Sequence, residues 1–255
     1  MRILVVGDVI GRPGRKAVRN LVPGLRHDLD LDLVIANGEN AAGGKGLTPE
    51  TADELLGSGI DVLTSGNHIW AQKEVLPLLD DDTPIIRPLN FAPGVPGRGY
   101  IRWRNVLIVN LIGRTFMGDA DCPFRAVNQL LEGLTVKPEA IVVDFHAEAT
   151  SEKQAMGHYL DGRVTAVVGT HTHVGTIDAR VLPRGTAFVS DIGMVGPSDS
   201  VIGDSIEDVL HRFLTHMPQR LTVATGAVTF NSVLVETKPD TGCATSITRI
   251  DREVE

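Results

Sequence analysis

The chain has 255 residues, 42% of them hydrophobic and 22% charged, which is ordinary globular composition with enough apolar mass for a sizeable core. Its 24 basic and 32 acidic residues leave a formal charge of −8, which argues against a broad footprint for duplex nucleic acid or an anionic membrane. An anionic ligand must then be small and captured locally, while a homo-oligomer stays open.

Cys122 and Cys243 form no CxxC pair and no disulfide or zinc-knot spacing, so both read as plain thiols. The apolar run Ile3 to Val6 stops at Gly7-Asp8, too short for a signal-peptide core, and no run approaches a membrane span. Cytoplasmic residence is the simplest expectation. With no linker-like or repeated segment, a single domain over residues 1–255 is expected.

Arg2 to Gly7 has the doubly apolar, β-branched pattern of a strand buried on both faces. A helix is predicted from Pro13 to Leu29, interrupted at Pro23-Gly24, followed by a strand over Leu31 to Ala36. Pro49 to Ser58 reads as an amphipathic helix capped by Thr48, and Asp61 to Leu63 as the third strand of a βαβαβ series, which implies parallel pairing. Ala71 to Leu79 is a predicted helix. Gly99 to Trp103 and Val106 to Ile112 are predicted strands joined by a tight Arg104-Asn105 turn. Ala140 to Asp144 and Val164 to Val168 are buried strands separated by a polar helix starting near Ser151. After Ala187 to Val189 and a helix near Asp204 to Thr215, strands are predicted over Ala227 to Glu236 and Ala244 to Ile250. The change of rhythm in mid-chain favours an α/β sandwich of sheets with outer helices over one doubly wound sheet.

The polar residues fall where these strands end. The first strand runs into Asp8, the second into Asn37-Gly-Glu39-Asn40, and the third is followed by Ser65-Gly-Asn67-His68. Two later strands run into His146 and into His171-Thr-His173. Ligands bind at the carboxyl ends of parallel strands, so these exits project Asp, Glu, Asn and His to one rim. Taken singly, each has a structural explanation as a helix cap, a turn residue or a satisfied core histidine; the joint pattern points to a site. In the most specific local signal, His171-Thr-His173, alternate residues of an extended segment would face the same side. Carboxylate, amide and imidazole donors suit manganese, iron or zinc, and site cysteines for a closed structural zinc are lacking. Asp8, Glu39, Asn40, Asn67, His146, His171 and His173 are too many donors for one such ion, but fit two bridged by a carboxylate. Gly43-Gly-Lys45-Gly46 reads equally as a phosphate-meeting flap or a connector.

The ordered series GD, NGEN, GNH, a single His and GTHTH resembles the calcineurin-like metallophosphoesterases, and GDVIGRPGR, NGENAAGGKG, SGNHIW, GTHTHV and DIGMVGP resemble their YmdB-like branch over essentially the whole chain. That resemblance implies a four-layer α/β/β/α sandwich of two mixed sheets flanked by helices. It also implies Asp8, Glu39, Asn40 and His173 on one metal, Glu39, Asn67, His146 and His171 on the other, and His68 as the proton donor to the leaving oxygen. Ile10 and Glu39 depart from the wider superfamily, which usually has a His and a bridging Asp there; Asn40 is the candidate replacement ligand, and iron or manganese is favoured over zinc. The implied reaction is phosphodiester hydrolysis by a metal-bridging hydroxide, 2′,3′-cyclic nucleotides included. Two divalent ions bring about +4, and Asp8, Glu39 and hydroxide remove about 3, leaving roughly +1 for a monoanionic diester. A phosphomonoesterase is the chief alternative, and a metal- or nucleotide-binding regulator with little turnover is a further one.

Overall fold

In the computed structural model, which describes residues 1–238 and 241–255, the first strand already shows why the fold is layered. Strand β1 (Arg2–Val9) sends Leu4 and Val6 into one apolar cluster and Ile3 and Val5 into another, because successive strand residues face opposite sides, and a register shift between Val6 and Asp8 brings Val9 into the first cluster as well. Then follow α1 (Gly11–Asp28), β2 (Leu33–Asn37), α2 (Pro49–Gly57), β3 (Val62–Thr64), α3 (Leu76–Asp80), β4 (Tyr100–Trp103), β5 (Val106–Ile112) and α4 (Pro123–Glu132). The second half holds β6 (Ala140–His146), α5 (Thr150–Leu160), β7 (Ala166–Thr170), β8 (Arg180–Val181), β9 (Ala187–Val189), β10 (Met194–Pro197), α6 (Ile206–Thr215), β11 (Val228–Phe230), β12 (Ser232–Thr237), β13 (Ala244–Arg249) and β14 (Arg252–Val254).

These strands make two mixed sheets. In the eight-stranded sheet, β1 pairs in parallel with β2, which continues to β3. It also pairs antiparallel with β12 along Arg2–Val6 and in parallel with β10 at Asp8 and Val9. The six-stranded sheet runs β4-β5-β6-β7-β9-β8, with parallel pairing from β5 to β9 and antiparallel strands at both edges. Ile3, Val5, Leu33 and Ile35 of one sheet pack with Ile108, Val142, Val168 and Val189 of the other. The opposite face of the first sheet packs on α1, α2 and α3, and that of the second on α4 and α5 through Val127, Met156 and Leu160. The four layers expected from the resemblance are therefore present. No helix of the described residues is long and apolar enough to cross a membrane.

Several local expectations change. Helix α1 is not interrupted at Pro23-Gly24: Ala17, Val18, Val22 and Leu25 hold both halves on the sheet, while Pro23 lies on the exposed side. The predicted helix over Ala71 to Leu79 is a single 3-10 turn (Lys73–Val75) leading into α3, with Pro77 in the first turn of that helix where its missing N–H costs nothing. The strand predicted over Ala227 to Glu236 breaks at Asn231, whose carbonyl accepts Gly7 N at 3.1 Å where β1 changes partner from β12 to β10. Helix α4 and strands β8, β10 and β14 are additional to the sequence reading. Strand β10 carries Gly196 and Pro197, residues that ordinarily argue against a strand interior.

Candidate metal centre

The site lies across the carboxyl ends of both sheets. Asp8 ends β1, Glu39 and Asn40 follow β2, Asn67 and His68 follow β3, His146 closes β6, and His171 and His173 follow β7. Asp8, Glu39, Asn40 and His146 are fully buried or nearly so. The backbone of Gly66 comes so close that a Cβ there would sit 2.3 Å from His146 Nε2 and 2.5 Å from Glu39 Oε2; only glycine lets this turn deliver Asn67.

The donors fall into two groups. His146 Nε2 lies 3.2 Å from Glu39 Oε1, 3.0 Å from Asn67 Oδ1 and 3.0 Å from His171 Nδ1. On the other side, His173 Nε2 lies 3.7 Å from Asp8 Oδ1 and 3.3 Å from the Asn40 amide nitrogen, which is itself 3.5 Å from Glu39 Oε1. Rotating the Asn40 amide by half a turn would present its oxygen to this group. Glu39 touches both groups.

One expectation fails in its geometry. His171 and His173 are not alternate residues of an extended segment, for β7 ends at Thr170 and both histidines have left-handed φ values of 98° and 64°. A tight loop, not strand alternation, turns the two rings into the site.

The electrostatics fit a cation. Asp8 Oδ1 is buried without a hydrogen-bond partner among the described residues, and burial pushes this carboxyl up to about 6 although His173 and His146 pull it down. Burial would likewise raise Glu39, but His146 and His68 outweigh it and bring the carboxyl to about 2. Burial disfavours a charged His146, yet Glu39, Asp8 and Asp144 raise it to about 9. The proton held between Glu39 and His146 gives the charge compensation that a metal ion would give, and metal uptake would displace it because a ligating imidazole is neutral. Burial and the neighbouring His146 lower His171 to about 3, leaving it neutral and able to ligate. An orphaned buried carboxylate oxygen among imidazoles and amides is a donor set that suits a hard or borderline divalent ion.

Around these donors lies a supporting set absent from the sequence reading. His146 Nδ1 is 3.0 Å from Thr170 Oγ1, and that hydroxyl donates to the buried Asp144 at 2.7 Å; Asp144 also accepts from Thr64. Thr172, between the two histidines, donates through N and Oγ1 to Asp191 at 3.2 and 2.7 Å. Asp191 is paired with the buried Lys153 at 2.6 Å. His173 Nδ1 donates to the Ile202 carbonyl at 2.8 Å, and His171 Nε2 is 3.0 Å from Glu148. Such partners orient metal-binding imidazoles and fix their tautomers. A charge inside an apolar strand signals Asp144, whereas Lys153 and Asp191 become partners only through the fold.

His68 lies beside the donors. Its backbone N–H donates to Glu39 Oε2 at 3.0 Å, and its Nδ1 is 2.8 Å from Asn40 Oδ1. His27, His158, His211 and His216 are exposed. A cleft of about 240 Å³ opens onto Glu39, Asn40, Gly44, His68, His171 and His173. It lies near the small end of ligand pockets. The loop 43–46 therefore borders the site through Gly44, while Lys45 is exposed. Gly44 has φ of +93°, and a Cβ there would meet Val223 at 2.7 Å. A larger cleft of about 630 Å³ between α1 and residues 220–228 includes none of the donors.

The chain is similar to known proteins over nearly its whole length. The chain is 46% identical over 254 residues to the 2′,3′-cyclic-nucleotide 2′-phosphodiesterase of Bacillus subtilis (strain 168), covering 98% of this chain and 96% of that protein. A crystal structure of a hypothetical protein from Thermus thermophilus superposes with a TM-score of 0.95 at 45% identity and covers all of both chains. A phosphatase structure from Mycoplasma pneumoniae gives a TM-score of 0.93 at 32% identity, covering 100% of this chain and 94% of the other. The model of the YmdB-like proteins matches residues 4–250, and the chain belongs to this metallophosphoesterase-like family.

Proposed function

We propose that this chain, as one domain over residues 1–255, is a dinuclear metal-dependent phosphodiesterase for small substrates such as 2′,3′-cyclic nucleotides. Asp8, Glu39, Asn40 and His173 would hold one ion, and Glu39, Asn67, His146 and His171 the other. The observation that carries this reading is the pair of donor groups meeting at the buried Glu39, one around His146 Nε2 and one around His173 Nε2. The Bacillus relative's named activity, with close similarity over nearly the full length of both proteins, supports the substrate class. The mixed oxygen and imidazole donors favour iron or manganese, with zinc as the alternative.

Bound ions would supply Lewis acidity toward the phosphate oxygens and lower the pKa of an attacking water. The chain's own residues do the rest. Asp144 and Thr170 fix the His146 ring, and Asp191 and Thr172 fix the loop carrying His171 and His173. With its Nδ1 held 2.8 Å from the Asn40 side-chain amide, His68 keeps Nε2 for the leaving oxygen. Residues bordering the narrow cleft limit the substrate to a small ester.

Assaying the manganese-loaded protein against 2′,3′-cyclic, 3′,5′-cyclic and monoester nucleotides tests the proposal. Turnover should be fastest on the 2′,3′-cyclic substrates. Faster hydrolysis of the monoesters would replace the diesterase by a phosphomonoesterase, and tight binding without product would indicate a sensor.

The two-group arrangement also separates the neighbouring histidines. His171→Ala and His173→Ala should impair different ions, each variant retaining about one metal per chain by elemental analysis. Full metal content in both would remove the His-Thr-His loop from the centre.

A further inference from the structure

Among the described residues, the buried cations are Lys153 and Arg87, and only Lys153 has a carboxylate beside it. Arg87 is 8% exposed, and its Nη1 and Nε donate to the Pro88 and Pro96 carbonyls at 2.8 and 3.4 Å, both neutral acceptors. Asp80, the acid whose charge acts on it, instead accepts the Gly97 N–H at 2.8 Å. A guanidinium stays protonated, and it is seldom buried without an anion because its lost hydration is then left uncompensated. Arg87 lines a cleft of about 540 Å³ between the segment leading into β4 and helix α4. The exposed Arg125 lines it too, again without an acidic partner among the described residues. Cys122, at the N-cap of α4, makes no side-chain cap, so the first-turn N–H groups add positive potential at the same place. The walls are apolar: Leu89 and Leu130 are half-buried, and Phe91 is held against Trp70 with ring centres 5.9 Å apart. Asp121 sets one carboxylate on the cleft, its carbonyl tied at 2.8 Å by the Asn90 amide.

We propose that this cleft binds a nucleoside monophosphate, its phosphate held by Arg87 and Arg125. Two guanidiniums favour an oxyanion that both can grip, and a phosphate monoester dianion matches their charge. A bare ion would leave the apolar walls wet and meet the Asp121 carboxylate. A nucleoside instead covers Leu89, Phe91 and Leu130 with its base and offers Asp121 sugar hydroxyls to accept from. The volume of about 540 Å³ lies within the roughly 300–1,000 Å³ of small-molecule sites. This cleft shares no lining residue with the one at the metal donors, so binding here is separate from the activity proposed there.

Calorimetric titration of the metal-loaded protein with the unhydrolysable methylene phosphonate of adenosine 5′-monophosphate tests this. The wild type should show a binding component that Arg125→Met weakens at least ~10-fold, the cost of losing a hydrogen bond to a charged group. Turnover of a nitrophenyl phosphodiester should stay at the wild-type value in that variant, whose replaced side chain is exposed. Arg87→Lys, which keeps the buried charge but loses the planar fork, should weaken the same component; if it misfolds, Arg125→Met decides. Adenosine, without the phosphate, and ribose 5-phosphate, without the base, should each bind there at least ~10-fold more weakly than the analogue. Absence of any Arg125-dependent component would overturn the proposal. So would Arg125-dependent binding of inorganic phosphate as tight as that of the analogue, which would leave only a simple ion site. Binding lost in Glu39→Gln but kept in Arg125→Met would place the ligand at the metal centre and overturn it as well.

Discussion

Glu39→Gln is expected to lose bound metal and turnover together, by more than the roughly 10- to 100-fold that follows removal of a partner outside the ligand set. Glu39 is the donor common to both groups, its Oε1 facing His146 and Asn40 and its Oε2 accepting the His68 backbone N–H. Glutamine nearly preserves the shape but removes the negative charge and replaces one acceptor by an NH2 group. The centre would then have Asp8 as its one carboxylate among the proposed ligands, with neutral amides and imidazoles around it. Elemental analysis of the purified variant, alongside its rate on a 2′,3′-cyclic nucleotide, provides the measurement. Two ions per chain together with normal turnover would show that Glu39 is not the bridge.

His68→Ala should keep its metals and lose turnover on alkoxide-releasing substrates by about 10²- to 10⁴-fold, the usual worth of general acid–base catalysis. A nitrophenyl phosphodiester should suffer far less, since nitrophenolate leaves without a proton. The titration of His68 adds a second signature. Burial lowers its pKa from 6.5, with Glu39 opposing and Lys45 pushing the same way as burial. The protonated donor is therefore a minority species at neutral pH and declines as pH rises through that lowered value. In the wild type, the ratio of the cyclic-nucleotide rate to the nitrophenyl rate should fall with increasing pH; in the variant it should be flat. Equal losses on both substrates with metal content intact would assign His68 to positioning instead.

Much of the convergence of these candidate ligands was legible because they punctuate buried strands. Asp8, Glu39, Asn67, His146 and His171 stand at or just past the ends of apolar runs, and parallel pairing carries those ends to one rim. What periodicity conceals is how a loop turns. The histidine pair invites a strand reading, but left-handed backbone at His171 and His173 does the aiming, held by Thr172 on Asp191. Local propensity likewise marks Pro23-Gly24 as a break, although packing of Val22 and Leu25 carries α1 through it.

The sequence by itself determined the apolar strands, the polar residues that end them and hence the chemistry the chain can gather, because alternation and turn residues act over a few neighbours. Only the tertiary structure decided that Glu39 stands between two donor groups, that Asp8 Oδ1 is buried without a hydrogen-bond partner among the described residues, that Lys153 lies buried against Asp191, and that α6 shows its apolar side outward. Each of these depends on which distant segments pack together and how completely they exclude water, and burial of that kind has no signature within a short stretch of chain.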